Sequence, residues 1–279
     1  MPSEGWSDAV WEDPDGGTVI IHGTIPTVVY PNAMRPRTSW HGLALLESPD
    51  VVDLWVQEEA DEAESQGVNL THAMLSGGAF GKYVEGIATL ENLQGGRFPD
   101  PEPRRLQRNA DRHGRPVFFI EPLADDEDWG DYLTQEAKAV SHWKKLLGMV
   151  RVGKRWKKSV KHHLFNAKPP PKGQSVDYAT ASVLAAAWWE LSEWLSTPAL
   201  AQRRDARYAA RIRGALAEIR ATEGENATLL LVAHLPHCAA ILNALNNGPS
   251  SEEISSTLTY TTNTAVSYTH LTLPTILSV

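Results

Sequence analysis

Hydrophobic positions along the chain fall into short runs separated by polar and glycine-rich stretches. "TVII", Thr18 to Ile21, is β-branched and sits between glycines, which predicts a buried strand. "DVVDLWV", Asp50 to Val56, predicts a second strand, "RPVFFIEP" between Gly114 and Pro122 a third, and "TLLLVA", Thr228 to Ala233, a fourth. Leu43 to Glu47 reads as a helical piece. From Pro198 to about Arg220, Tyr208, Ile212, Leu216 and Ile219 recur at helical spacing, with Pro198 suited to a first turn. Strands that are apolar throughout and alternate with helices indicate an α/β fold, a mostly parallel sheet flanked by helices.

The middle of the chain breaks this alternation. Residues 142–197 lack a strand pattern and carry helical stretches such as "ATASVLAAAWWELSEWL", with Pro169 to Pro171 marking a loop. The expected organisation is therefore 1–141 and 198–265 as two parts of one α/β domain, with 142–197 as a mainly helical insertion or cap. The end differs in kind: "VSYTHLTLPT", Val266 to Thr275, resembles the in-frame translation of a sequencing adapter. Residues 266–279 are accordingly set aside as an adapter-derived artefact, His270 with them, and the natural chain is expected to continue past Ala265.

Charge sharpens the insertion. The chain carries a formal net charge of −8, which weighs against nucleic acid as the main partner. Yet no Asp or Glu occurs from Ala137 to Val176, where Lys144, Lys145, Arg151, Lys154, Arg155, Lys157, Lys158, Lys161, Lys168 and Lys172 crowd together. That segment, Lys144 to Lys172, would suit an anionic membrane surface or an acidic partner, with Trp143 and Trp156 as interfacial anchors. The plainer alternative is a solvated helical face. A single cysteine, Cys238, excludes an internal disulfide and any multi-cysteine metal site. The acidic N-terminus lacks a secretory pattern, and no apolar stretch reaches the roughly 18 residues that span a bilayer, so the expected location is cytoplasmic, at most peripheral at the membrane.

In an open parallel sheet, ligands sit beyond the carboxyl ends of the strands. The polar residues after the four expected strands are His22, Glu58 or Glu59, Glu121 and His234. His22, His234 and Glu58 form a donor set of imidazole and carboxylate that suits a divalent zinc, manganese or iron ion. His234, Glu58 and Glu121 are the candidate catalytic groups, acting on a metal-bound water or, without a metal, as an acid–base pair. His41, His72, His113 and the His162–His163 pair show no ligand spacing with a carboxylate. "LSGGAFG", Leu75 to Gly81, lacks P-loop spacing, and no Gly-x-Ser-x-Gly elbow is present.

The C-terminal half carries a resemblance. "RRDARYAARI", Arg203 to Ile212, followed by "TLLLVAHLPHCAAILNAL", resembles the closing motif of the TraB family, related to the pheromone-shutdown, Tiki and erythromycin-esterase-like proteins. "VIIHGTIP" and "DVVDLWVQEE" resemble more weakly that family's first strand motifs. His234 keeps the family's histidine, and Glu58 matches an acidic position. Leu231 stands where the family has glycine, and Pro26 where it has histidine. The resemblance implies an α/β fold and a hydrolase of a peptide or small-molecule ester, metal-dependent in some members. Pro26 favours the alternative, a catalytically inactive regulator that docks through its basic segment.

Overall fold

A run of four aliphatic residues with no polar break is stable as a strand only where both of its faces are covered. Leu229 to Val232 meet that condition at the centre of a five-stranded sheet. The computed structural model describes residues 6–142, 145, 151–248 and 250–257. Trp143, Lys144 and the adapter-like end lie outside them.

The chain runs β1 (Ala9–Glu12), β2 (Thr18–Thr24), β3 (Gly42–Leu45), α1 (Val51–Glu64), α2 (Val68–Leu75), α3 (Gly78–Ala88), α4 (Pro101–Arg112), β4 (Val117–Phe119), α5 (Glu127–Val140), α6 (Val152–Phe165), α7 (Asp177–Leu195), α8 (Pro198–Glu223), β5 (Thr228–His234) and α9 (Cys238–Asn247). Strand order is β1-β2-β5-β3-β4. β5 pairs in parallel with β2 and β3, β3 in parallel with β4, and only edge strand β1 is antiparallel. The fold is α/β, a mostly parallel sheet flanked by helices.

Alternation along β5 divides the core. Leu229, Leu231 and Ala233 pack with Ile212, Leu216 and Ile219 of α8 and Ile241 and Leu245 of α9. Leu230 and Val232 point the other way, against Trp55 of α1 and Leu106 and Ala110 of α4. The apolar stripe of α8 lies buried at the predicted spacing, and Thr197 caps the helix by accepting from the Leu200 amide. Each of those large aliphatic side chains contributes roughly 1.5–3 kcal/mol by leaving water. A third cluster joins Ile25, Val28 and Tyr30 to α3 and α7.

Two sequence expectations are corrected. The stretch read as helical, Leu43 to Glu47, begins with β3, whose four residues are all buried. Gly42 makes that insertion possible, because a Cβ there would lie 2.4 Å from Ile219 Cδ1. The expected strand Asp50 to Val56 is the first turns of α1: half-buried Val51 and Val52, buried Trp55 and half-buried Glu58 and Glu59 recur every three to four residues with exposed pairs between them, a helical rather than an alternating pattern. Edge strand β1 went unforeseen, as one side carries buried Trp11 and the other exposed Val10. Within 142–197, the described elements are the helices α6 and α7.

α8 also seats the segment that follows α9. The Glu252 amide donates to the Ala210 carbonyl at 3.0 Å, and Ile254 joins the core. A Cβ at Gly214 would lie 1.7 Å from the Glu252 carbonyl oxygen. Gly214→Ala should therefore lose about 2–3 kcal/mol in urea unfolding. Gly153→Ala in α6, where a Cβ meets nothing within 4 Å, should be neutral or stabilising by up to about 1 kcal/mol. Equal stability of the two variants would contradict this packing.

Candidate functional site

The carboxyl ends of the parallel strands open into a cavity of about 330 Å³. Thr24 ends β2 and His234 ends β5, while Glu47 and Glu121 lie two residues beyond β3 and β4. All four line the cavity, together with His237, Arg204 and Tyr208 and the indoles of Trp188 and Trp189. α7 thus supplies two tryptophans over a floor built by the sheet.

Strand register brings the two carboxyls together. Leu45 pairs with Phe119, and the ladder continues as Ile120 N donates to Leu45 O at 2.8 Å and Glu121 N to Glu47 O at 3.2 Å. Glu47 and Glu121 are therefore neighbours across adjacent strand ends. Arg211 fixes this end of β4 by donating to the carbonyls of Ile120 and Phe119. Burial and the neighbouring Glu121 charge push the Glu47 carboxyl up to about 7. Burial also raises Glu121, against the opposing hydrogen bond from Tyr208 Oη to its Oε2 at 2.9 Å. The Glu121 charge thus adds to burial in favouring the protonated form of Glu47.

The histidines behave differently. His234 stands edge-on to Trp188, ring centroids 5.3 Å apart, and burial together with nearby His237 lowers it to about 4. Its imidazole is neutral at physiological pH. His237 donates through Nε2 to Asp205 Oδ1 at 2.8 Å, and its ring lies 4.4 Å from that of Trp189. Burial lowers His237 even against the pull of Asp205. For Asp205, burial pushes upward, but His237 and Arg204 outweigh it and hold the carboxyl below its ordinary range. Arg204 bonds Glu193 Oε1 at 2.8 Å and Asp205 Oδ1 at 2.9 Å, leaving its guanidinium anchored in the cavity wall.

Of the residues predicted from sequence, Glu121 and His234 meet in this cavity. His22 and Glu58 do not line it. His22 donates through Nδ1 to Asp8 Oδ1 at 2.7 Å and lies edge-on to Tyr30. Glu58 stands on α1, where burial and then the charges of Asp61, Glu62 and Glu59 raise it to about 7. Glu59 is tied to Arg104 at 2.9 Å and Arg108 at 2.7 Å. The donor set His22, His234 and Glu58 thus does not converge in the cavity, and among the described residues no group of three or more His, Cys, Asp or Glu side chains is arranged to hold a metal ion.

Glu47 escaped the sequence reading because its strand was taken for a helix. Read as a strand, "LAL" would have pointed to it through the same strand-end rule. His237 and the Arg204–Asp205 pair were visible only as motif letters, since their pairing depends on α8 lying beside the end of β5.

The Glu47 shift carries a stability signature. A carboxyl raised in the folded state, from 4.5 to about 7, contributes stability that is complete below pH 4.5 and lost as pH rises through 7. Glu47→Gln should leave stability unchanged near pH 4 and raise it by on the order of 2 kcal/mol at pH 8. Equal effects at both pH values in urea titrations would contradict the burial of this charge. The chain matches no family model, no curated protein and no solved structure.

Proposed function

We propose that the strand-end cavity hydrolyses a peptide or ester bond by proton transfer between the Glu47–Glu121 pair and water. The observation that carries this reading is the register that sets these two half-buried glutamates side by side within the cavity lined by His234. With one proton between them near neutral pH, the ionised member can take a proton from attacking water while the protonated member supplies one to the leaving group. The neutral His234 imidazole offers a ring nitrogen to orient that water. The Tyr208 hydroxyl, donating to Glu121 Oε2, holds that carboxyl in place, and the Arg204 guanidinium offers positive charge to the oxygen on which negative charge develops. Trp188 and Trp189 restrict water and give an apolar contact to the substrate.

These roles need a peptide or small-molecule substrate and no further group. We place the protein in the cytoplasm, at most peripheral to a membrane. Among the described residues no helix is long and apolar enough to cross one.

The test is hydrolysis of a panel of chromogenic esters and short peptides. On whichever substrate is turned over, Glu47→Gln and Glu121→Gln should each lower kcat/KM by roughly 10²–10⁴-fold. The wild-type pH profile should break near pH 7, and the variants should lose that break. Full activity in both variants, or no turnover across the panel, would overturn the assignment.

A further inference from the structure

None of the described residues of the strongly basic segment lines the cavity, and the fold gives its helix α6 a defined direction. At 100° per residue, Lys154, Lys158, Lys161 and Phe165 fall within about 60° of arc on one side of α6. All four are exposed. Lys157, His162 and Leu164 flank this side and are exposed as well. The opposite side is fixed against α7: Trp156 packs into the core cluster there, and Ser159 Oγ and His163 Nε2 both bond Glu190 Oε2. The lysine side therefore cannot roll inward.

Three features distinguish this surface from an ordinary solvated helix. No carboxylate occurs between Glu136 and Asp177, so the helix lacks the alternating charges that usually neutralise an exposed face. Among the described residues none of Lys154, Lys157, Lys158 and Lys161 takes part in a salt bridge. Phe165 is 82% exposed and Leu164 54%, two large apolar side chains projecting beside the ammonium groups. Duplex nucleic acid, its bases already stacked, satisfies the lysines and leaves Phe165 in water, and a single strand that stacks a base on Phe165 still leaves the aliphatic Leu164 without an apolar partner. A bilayer with anionic headgroups satisfies both, since lysines meet headgroups while an aromatic ring enters the acyl boundary.

We propose that the outward face of α6 docks this protein on an anionic lipid bilayer, through Lys154, Lys158 and Lys161 and with Phe165 inserted. The proposal is independent of the hydrolytic reading. It also orients the molecule, because α7 holds α6 through Glu190 and sends Trp188 and Trp189 into the cavity.

Co-sedimentation of the whole chain with vesicles tests it. Binding should be strong to vesicles containing about 30% phosphatidylserine, weak to pure phosphatidylcholine, and reduced as salt rises from about 0.05 to 0.5 M. The triple variant Lys154→Glu, Lys158→Glu, Lys161→Glu should lose at least about tenfold in vesicle affinity. Phe165→Ala keeps every charge and should lose several-fold. Its folding is little at stake, because the side chain projects into solvent. Absence of binding by the wild type, equal binding to both vesicle types, or unchanged binding by Phe165→Ala would overturn the proposal. So would binding to an RNA oligonucleotide that leaves vesicles unbound.

Discussion

The burial of β5 on both faces is the constraint from which the rest of the molecule follows. Leu229 to Ala233 leave no polar side chain inside the sheet, so helices must cover both sides, and α8 with α9 on one and α1 with α4 on the other do so. Along β5 polar chemistry is thereby left to the strand end. With β2 and β3 parallel to β5, their carboxyl ends fall on one edge, and Thr24, Glu47, Glu121 and His234 collect there. The cavity is a consequence of the same packing that makes the core.

Within that edge, environment separates groups that would titrate alike in water. Burial alone disfavours charge on every one of them. The outcome then depends on partners: Asp205 meets Arg204 and His237 and stays ionised, whereas Glu47 meets another carboxyl and takes up a proton near pH 7. His234 meets indole rings and a second histidine and remains neutral. A neutral imidazole, a carboxyl that keeps its proton up to about pH 7 and an anchored guanidinium in one cavity are the groups on which the proposed hydrolytic step draws.

Long apolar or strongly periodic segments were legible in the sequence: β2, β4, β5 and α8 were read at their places. Shorter elements were not. "GLAL" offers too few positions to distinguish two periodicities, and its burial depends on β4 and β5, which are remote in the chain. "DVVDLWV" is rich in β-branched residues, yet tertiary packing selects a helix that buries Trp55. The site inherits those errors. Glu121 and His234 stand at the ends of correctly read strands and line the cavity, while Glu58 lies within α1, whose first turns were misread as a strand, and Glu47 was lost with β3. His22 lies within β2 rather than past its end and is engaged with Asp8.

The most direct measurement of this account is the titration of the Glu47 and Glu121 side-chain carboxyl carbons by nuclear magnetic resonance, in the wild type and in Glu121→Gln. The account predicts a group titrating near pH 7 in the wild type, with a clear fall in the Glu47 midpoint once the neighbouring charge is removed. Two independent titrations near pH 4.5, indifferent to the substitution, would show that the carboxyls neither lie buried nor share a site, and the proton-transfer cavity would fall with them.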